Sequence, residues 1–139
     1  MKTVFSVVIA AANALGPDGK CRVLALRGGG VHGAYEVGVL KGFTEFLDPI
    51  DLHYDYISGV SVGAINTAIF AMYPPGSEKD AVKEMEELFI DHPASDYWNF
   101  WPYYVIEPFY KKSFIDVSRF NALVYEKLKG RPWLRKVSI

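Results

Sequence analysis

The sequence predicts an α/β domain: a parallel sheet with flanking helices. Two observations carry that prediction. Short apolar, partly β-branched runs alternate with segments of helical period, in the order strand, helix, strand, helix. Each run ends in a turn of small residues, GGGVHG after the first and SGVSVG after the second. That order implies parallel strands joined by right-handed crossovers, with helices packed on the sheet. In such sheets the functional edge lies at the carboxyl ends of the strands, where both small-residue turns stand.

Taken in order, LGPDGK is a polar, turn-rich leader, and residues 21–26, CRVLAL, form the first strand, expected to be buried. Cys21 at its start reads as a small buried hydrophobe. From Ala34 the apolar residues Tyr35, Val39, Leu40, Phe43, Phe46 and Leu47 recur at helical spacing, and the helix stops before Asp48-Pro49, where proline disfavours a helical neighbour. Residues 54–57 form the second strand. The helix over 64–72 is almost wholly apolar, which marks it as buried, and Pro74-Pro75-Gly76 ends it. Ser77 and Asp80 make an S-x-x-D capping pattern for a third helix reaching about Ile90. Its polar side, Lys83, Glu84, Glu86 and Glu87, reads as a solvated face. Residues 96–110, DYWNFWPYYVIEPFY, are broken by Pro102 and Pro108 and cannot be one regular element. They read as core packing against the sheet, with a lipid-contacting lip over the second turn as the alternative. Asp116 is expected to cap a last helix, with Val117, Phe120, Leu123, Val124 and Leu128 on its apolar stripe and Gly130 just past its end. Residues 137–139 look like the start of a strand.

The 139 residues suit one modest domain. Fifteen basic against sixteen acidic residues leave a formal charge of -1, which gives no reason to expect nucleic acid as a partner. A single cysteine excludes an internal disulfide. The histidines, His32, His53 and His92, share no motif, so no metal and no cofactor is expected. At the N-terminus, Lys2, a nearly all-apolar run over residues 4–12 and the small-x-small triplet Ala12-Asn13-Ala14 follow the order of a secretory signal peptide. Residues 1–14 are therefore expected to be a signal peptide, with the mature chain starting near Leu15 and placed in the secretory pathway or outside the cell. A first strand or an amphipathic anchor helix is the competing reading of the same run.

Gly59-Val60-Ser61-Val62-Gly63 is G-x-S-x-G between a strand and a helix. A nucleophile at the tip of such an elbow must turn sharply into the next helix, which favours glycine two residues to either side. Gly28, Gly29 and Gly30 let the backbone approach a ligand closely, and the helix that follows adds the positive end of its dipole. Backbone N–H groups aimed at a developing oxyanion stabilise acyl transfer, one such donor being worth about 3 kcal/mol. Read literally, Gly28, Gly30 and Gly33 also spell the dinucleotide-binding G-x-G-x-x-G. That reading wants an acidic residue at the end of the second strand to hold a ribose. Asp48 precedes the strand, Asp55 lies within it, and the serine elbow occupies its end, so the confirming context fails.

LALRGGGVHGAYEVGVLKGF followed by YDYISGVSVGAINTA resembles the N-terminal half of a patatin-like phospholipase domain, tightly over residues 23–71 and loosely beyond. The resemblance implies a patatin-like acyl hydrolase fold. It further implies Ser61 as nucleophile, Gly28, Gly29 and Gly30 as the oxyanion turn, and Gly33, Gly59 and Gly63 as supporting glycines. It implies hydrolysis of lipid acyl esters, of the phospholipase A or acylglycerol esterase type, by a Ser–Asp dyad without metal or histidine. The partner is then a lipid ester, with contact at a membrane or lipid-droplet surface.

Two positions depart from the family pattern. Arg27 stands where Asp or a small residue is common, and His32 where Arg is common. His32 reads as a helix-start residue rather than a general base. The family's aspartate lies in an Asp-Gly-Gly/Ala motif well beyond the serine, and no such motif follows Ser61. Asp55, Asp91, Asp96 and Asp116 lack the glycine, and a serine without a base is a poor nucleophile at neutral pH. The chain is thus expected to be the N-terminal part of a domain, incomplete at its C-terminus and inactive alone. A non-catalytic lipid-binding or interaction module of the same fold is the competing reading.

Overall fold

The structure, a computed structural model, describes residues 16–92, 94–100 and 115–139. The expected signal peptide and residues 101–110 of the aromatic tract lie outside them. The elements in chain order are β1 (Val23–Leu26), a 3₁₀ turn (Gly30–His32), α1 (Gly33–Phe46), a 3₁₀ turn (Pro49–Leu52), β2 (Tyr56–Gly59), α2 (Val62–Ala71), α3 (Glu78–Ile90), α4 (Ala94–Tyr97), β3 (Asn99–Phe100), β4 (Ile115–Asp116), α5 (Ser118–Leu128) and β5 (Lys136–Ser138). The chain divides into two compact units, Met1–Glu86 with Pro132–Ile139, and Glu87–Arg131.

The first unit carries the α/β architecture. Its sheet is parallel in the order β1-β2-β5, with Leu24 opposite Ile57, Leu26 opposite Gly59, and Ile57 opposite Val137. Residues 136–138 do form the strand foreseen at the end of the chain. The core gathers Ile57, Ile69, Phe70, Val37, Leu40, Leu52, Val82 and Met85. Eight of the ten residues of α2 are buried, as its apolar composition requires.

The structure corrects several boundaries and burials. β1 was expected to be buried, yet only Leu26 is, and Val23 is 61% exposed. Side chains alternate between the two faces of a strand, and the face carrying Val23 and Ala25 is left open while that of Leu24 and Leu26 is covered. Cys21 is exposed rather than buried, because the strand starts two residues after it. β2 runs two residues later than its apolar run, since Ser58 and Gly59 pair with Ala25 and Leu26 despite low strand propensity. The acidic side of α3 is not merely solvated: Tyr73 Oη donates to Glu84 at 2.7 Å, and Lys41 Nζ pairs with Glu86 at 2.6 Å.

The segment before β5 is anchored at the end of α2. Leu134 N–H donates to Ala71 O at 2.7 Å. The buried Arg135 guanidinium donates to Tyr73 O (2.8 Å), Pro74 O (2.9 Å) and the Glu78 carboxylate (2.6 Å), and lies 4.9 Å from the centre of the Phe70 ring. Glu78 also accepts from Gly76 N–H at 3.1 Å, so one carboxylate caps the turn into α3 and neutralises the arginine.

In the second unit, β3 and β4 pair antiparallel. Tyr97 stacks on Phe89, tilts against Phe120, and donates its hydroxyl to Leu88 O. Within the aromatic tract, residues 96–100 already change from helix to strand, which bears out its irregularity. Asp116 caps α5 from one position further out than expected, accepting Ser118 N–H at 2.9 Å while Val117 holds the N-cap position.

Candidate active site

Leu26 and Gly59 are partners in the parallel ladder, and Val60 N–H donates to Leu26 O at 3.2 Å. β1 and β2 therefore end at the same level, and both small-residue turns leave the same rim of the sheet. Their approach is close. A methyl group built on Gly28 would stand 3.1 Å from Ser61 Cβ and 3.3 Å from Val60 O. One built on Gly63 would stand 2.5 Å from Leu26 O and 2.6 Å from Arg27 O, and one on Gly59 would collide with Gly63 C and O and with Thr67 Oγ1. Glycine at 59 and 63 is thus required by backbone meeting backbone. These contacts bring the serine elbow and the glycine turn together.

Ser61 is the non-glycine residue with positive φ among the described residues, at φ 55° and ψ -125°. A side chain held there costs on the order of 1–3 kcal/mol and persists only where its surroundings enforce it. Here the enforcement comes from Gly63 N–H donating to Val60 O and Ala64 N–H donating to Ser61 O as α2 starts. Ser61 is exposed at the N-terminus of α2, the positive end of that helix. No hydrogen-bond partner holds Ser61 Oγ among the described residues.

Gly29 and Gly30 adopt φ 154° and 57°, conformations open to glycine. No acceptor among the described residues takes the N–H groups of Gly28, Gly29 or Gly30. Gly33 is buried, starts α1, and caps the 3₁₀ turn with its N–H. His32 Nδ1 lies 2.8 Å from Gly29 O, so that nitrogen carries the proton and the ring fastens the turn. Arg27 Nε donates to Gly28 O at 3.2 Å. An open, apolar groove of about 630 Å³ runs from Arg27 between β1 and α1, walled by Leu24, Leu26, Tyr35, Val39 and Phe43.

Two residues at this site escaped the sequence reading. Glu36 Oε1 accepts Arg27 N–H at 2.8 Å, and Asn66 Nδ2 donates to Gly33 O at 3.2 Å and to Glu36 Oε2 at 3.3 Å. Asn66 is fully buried. The available signal was a polar amide inside helix α2, whose other residues are apolar or glycine apart from Thr67. No group of three or more His, Cys, Asp or Glu side chains able to hold a metal occurs among the described residues, and no described helix is long and apolar enough to cross a membrane.

The model of the patatin-like phospholipase family matches residues 24–134, most of the chain. The chain belongs to the patatin-like phospholipase family. Its parallel sheet with flanking helices is the α/β arrangement expected of that family. A cUMP-AMP-activated phospholipase of Escherichia coli is 41% identical over 78 residues, which are 55% of this chain and 22% of the relative. The chain thus spans less than a quarter of that curated relative's length. No solved structure matches the chain.

Proposed function

We propose that this patatin-like chain carries the nucleophile and oxyanion turn of a lipid acyl hydrolase of the phospholipase A or acylglycerol esterase type. The observation that carries the reading is the packing of the glycine turn on the serine elbow: a Cβ built on Gly28 would stand only 3.1 Å from Ser61 Cβ, so the turn with its unaccepted N–H groups lies against the exposed, conformationally held Ser61. Ser61 Oγ attacks the ester carbonyl carbon and passes its proton to a carboxylate base. The amides of Gly28, Gly29 and Gly30 receive the negative charge that develops on the carbonyl oxygen. The C–O bond to the alcohol breaks, the alcohol leaves with the proton, and water then cleaves the acyl-serine. The base is an aspartate supplied from outside the described residues. The apolar groove beside the glycine turn suits an acyl chain, and the substrate is met at a membrane or lipid-droplet surface.

A fluorophosphonate probe tests the reading: the longest natural form should be labelled at Ser61, and labelling should vanish in Ser61→Ala. An unlabelled parent, or a Ser61→Ala variant labelled like the parent, overturns it. Running the reaction with and without cUMP-AMP asks whether the activation named for the Escherichia coli relative extends to this chain. The second reading, a non-catalytic lipid-binding or interaction module, is favoured by the unpartnered Ser61 Oγ. An in-frame Asp-Gly-Gly/Ala motif in the gene beyond Ile139 argues for the enzyme, and a stop codon there for the module. We also propose that residues 1–14 direct secretion. N-terminal sequencing of exported material should then begin near Leu15, and an intact Met1 in the cytosol counts against it.

A further inference from the structure

Three segments of the site converge on one side chain. Glu36, in the first turn of α1, spends one carboxylate oxygen on the N–H of Arg27, the residue that leaves β1 for the glycine turn. It spends the other on Nδ2 of Asn66, which lies on α2 behind Ser61 and also holds Gly33 O. Both groups facing Glu36 are donors. A carboxylate, which only accepts, satisfies both, and its hydrogen bonds are charge-assisted. An amide in its place must turn an NH₂ toward one of them. Asn66 cannot relieve that mismatch by flipping, because flipping would aim its oxygen at Gly33 O. Burial of Asn66 removes water as a substitute partner.

We propose, resting on the reading of Ser61 as nucleophile, that Glu36 is a positioning residue whose carboxylate sets the glycine turn against the serine helix through Arg27 N–H and Asn66. It touches neither substrate nor nucleophile. It holds the free amides at the height where the oxyanion forms, a placement in which an error of about 1 Å can cost about a hundredfold in rate.

The test uses the longest natural form as parent, Glu36→Gln, and Val82→Ala, a core variant on α3 that lowers stability away from the site. Fluorophosphonate labelling forms the Ser61 Oγ–P bond and breaks P–F; fluoride leaves and the proton passes to buffer. Well below every variant's melting temperature, Glu36→Gln should react about 10- to 100-fold more slowly. The loss should fall in the maximal rate, with the probe's half-saturating concentration unchanged. Val82→Ala should react at the parent rate. Glu36→Gln reacting within threefold of the parent, or Val82→Ala slowed equally, overturns the proposal. Glu36→Asp, which keeps the charge but cannot span both donors, should show the same pattern and serves if Glu36→Gln does not fold. Hydrogen exchange at the Arg27 amide reads the tether without chemistry. It should quicken at least tenfold in either Glu36 variant and stay at the parent rate in Val82→Ala, and equal protection overturns the tether. An unlabelled parent overturns the serine reading and leaves the tether to the exchange result alone.

Discussion

Adding one methyl group at Gly59 measures how tightly the two turns are wedged. In Gly59→Ala the new Cβ meets the carbonyl of Gly63 and the Thr67 hydroxyl. The Gly63 backbone cannot retreat, because it already sits against Leu26 O and Arg27 O, where its own Cβ position is 2.5 Å and 2.6 Å away. Overpacking that flexible side chains can absorb costs about 1–3 kcal/mol, and here backbone must absorb it, so the loss should reach about 3 kcal/mol. For a domain of this size that is roughly a 10 °C fall in melting temperature. Gly38→Ala is the control, since nothing lies within 4 Å of its Cβ and it occupies the exposed middle of α1. It should gain about 0.5–1 kcal/mol from helix propensity. Urea titration of parent and both variants, at an unchanged slope with denaturant, gives the two values. A Gly59→Ala variant within about 0.5 kcal/mol of the parent, below the smallest overpacking cost, would refute the close approach from which the site is built.

Arg135→Ala leaves the buried Glu78 carboxylate unpaired and strips a donor from Tyr73 O and Pro74 O, so thermal or urea unfolding should show a loss of about 3–5 kcal/mol. The double replacement Arg135→Met with Glu78→Leu should recover most of it, because no buried charge then remains. Asp18 accepts from both terminal nitrogens of Arg22, at 2.9 and 2.8 Å, and these bonds hold its carboxyl well below the usual carboxylate range. The native state therefore favours the ionised form. Its contribution is complete above the ordinary value of 3.8 and is lost as the pH falls below it. Stability measured from pH 5 to pH 2 should fall less steeply for Asp18→Asn than for the parent, and identical slopes would count against the pair. Cys21 is exposed and should react with a thiol reagent in the native state at the rate of a free cysteine; protection until unfolding would contradict its placement.

The fold class, the order of elements and the identity of the two turns were legible in the sequence because each rests on local physics. Period separates strand from helix, proline stops a helix, and glycine marks places where a Cβ cannot fit. Ser61, Gly28 and Gly59 were visible for that reason. The exposure of Val23 and Cys21, the extension of β2 through Ser58 and Gly59, and the engagement of Glu84 and Glu86 were not. Each depends on which neighbour the folded chain brings alongside, and the sequence does not state its neighbours. The tie of Glu36 to Arg27 and Asn66 belongs to the same class. Glu36 and Asn66 lie thirty residues apart, and only parallel pairing of β1 with β2 sets α1 and α2 side by side on a common rim, so that one carboxylate can reach two donors. Sequence by itself determined which groups are present and how each turn bends; tertiary structure decided which of them meet.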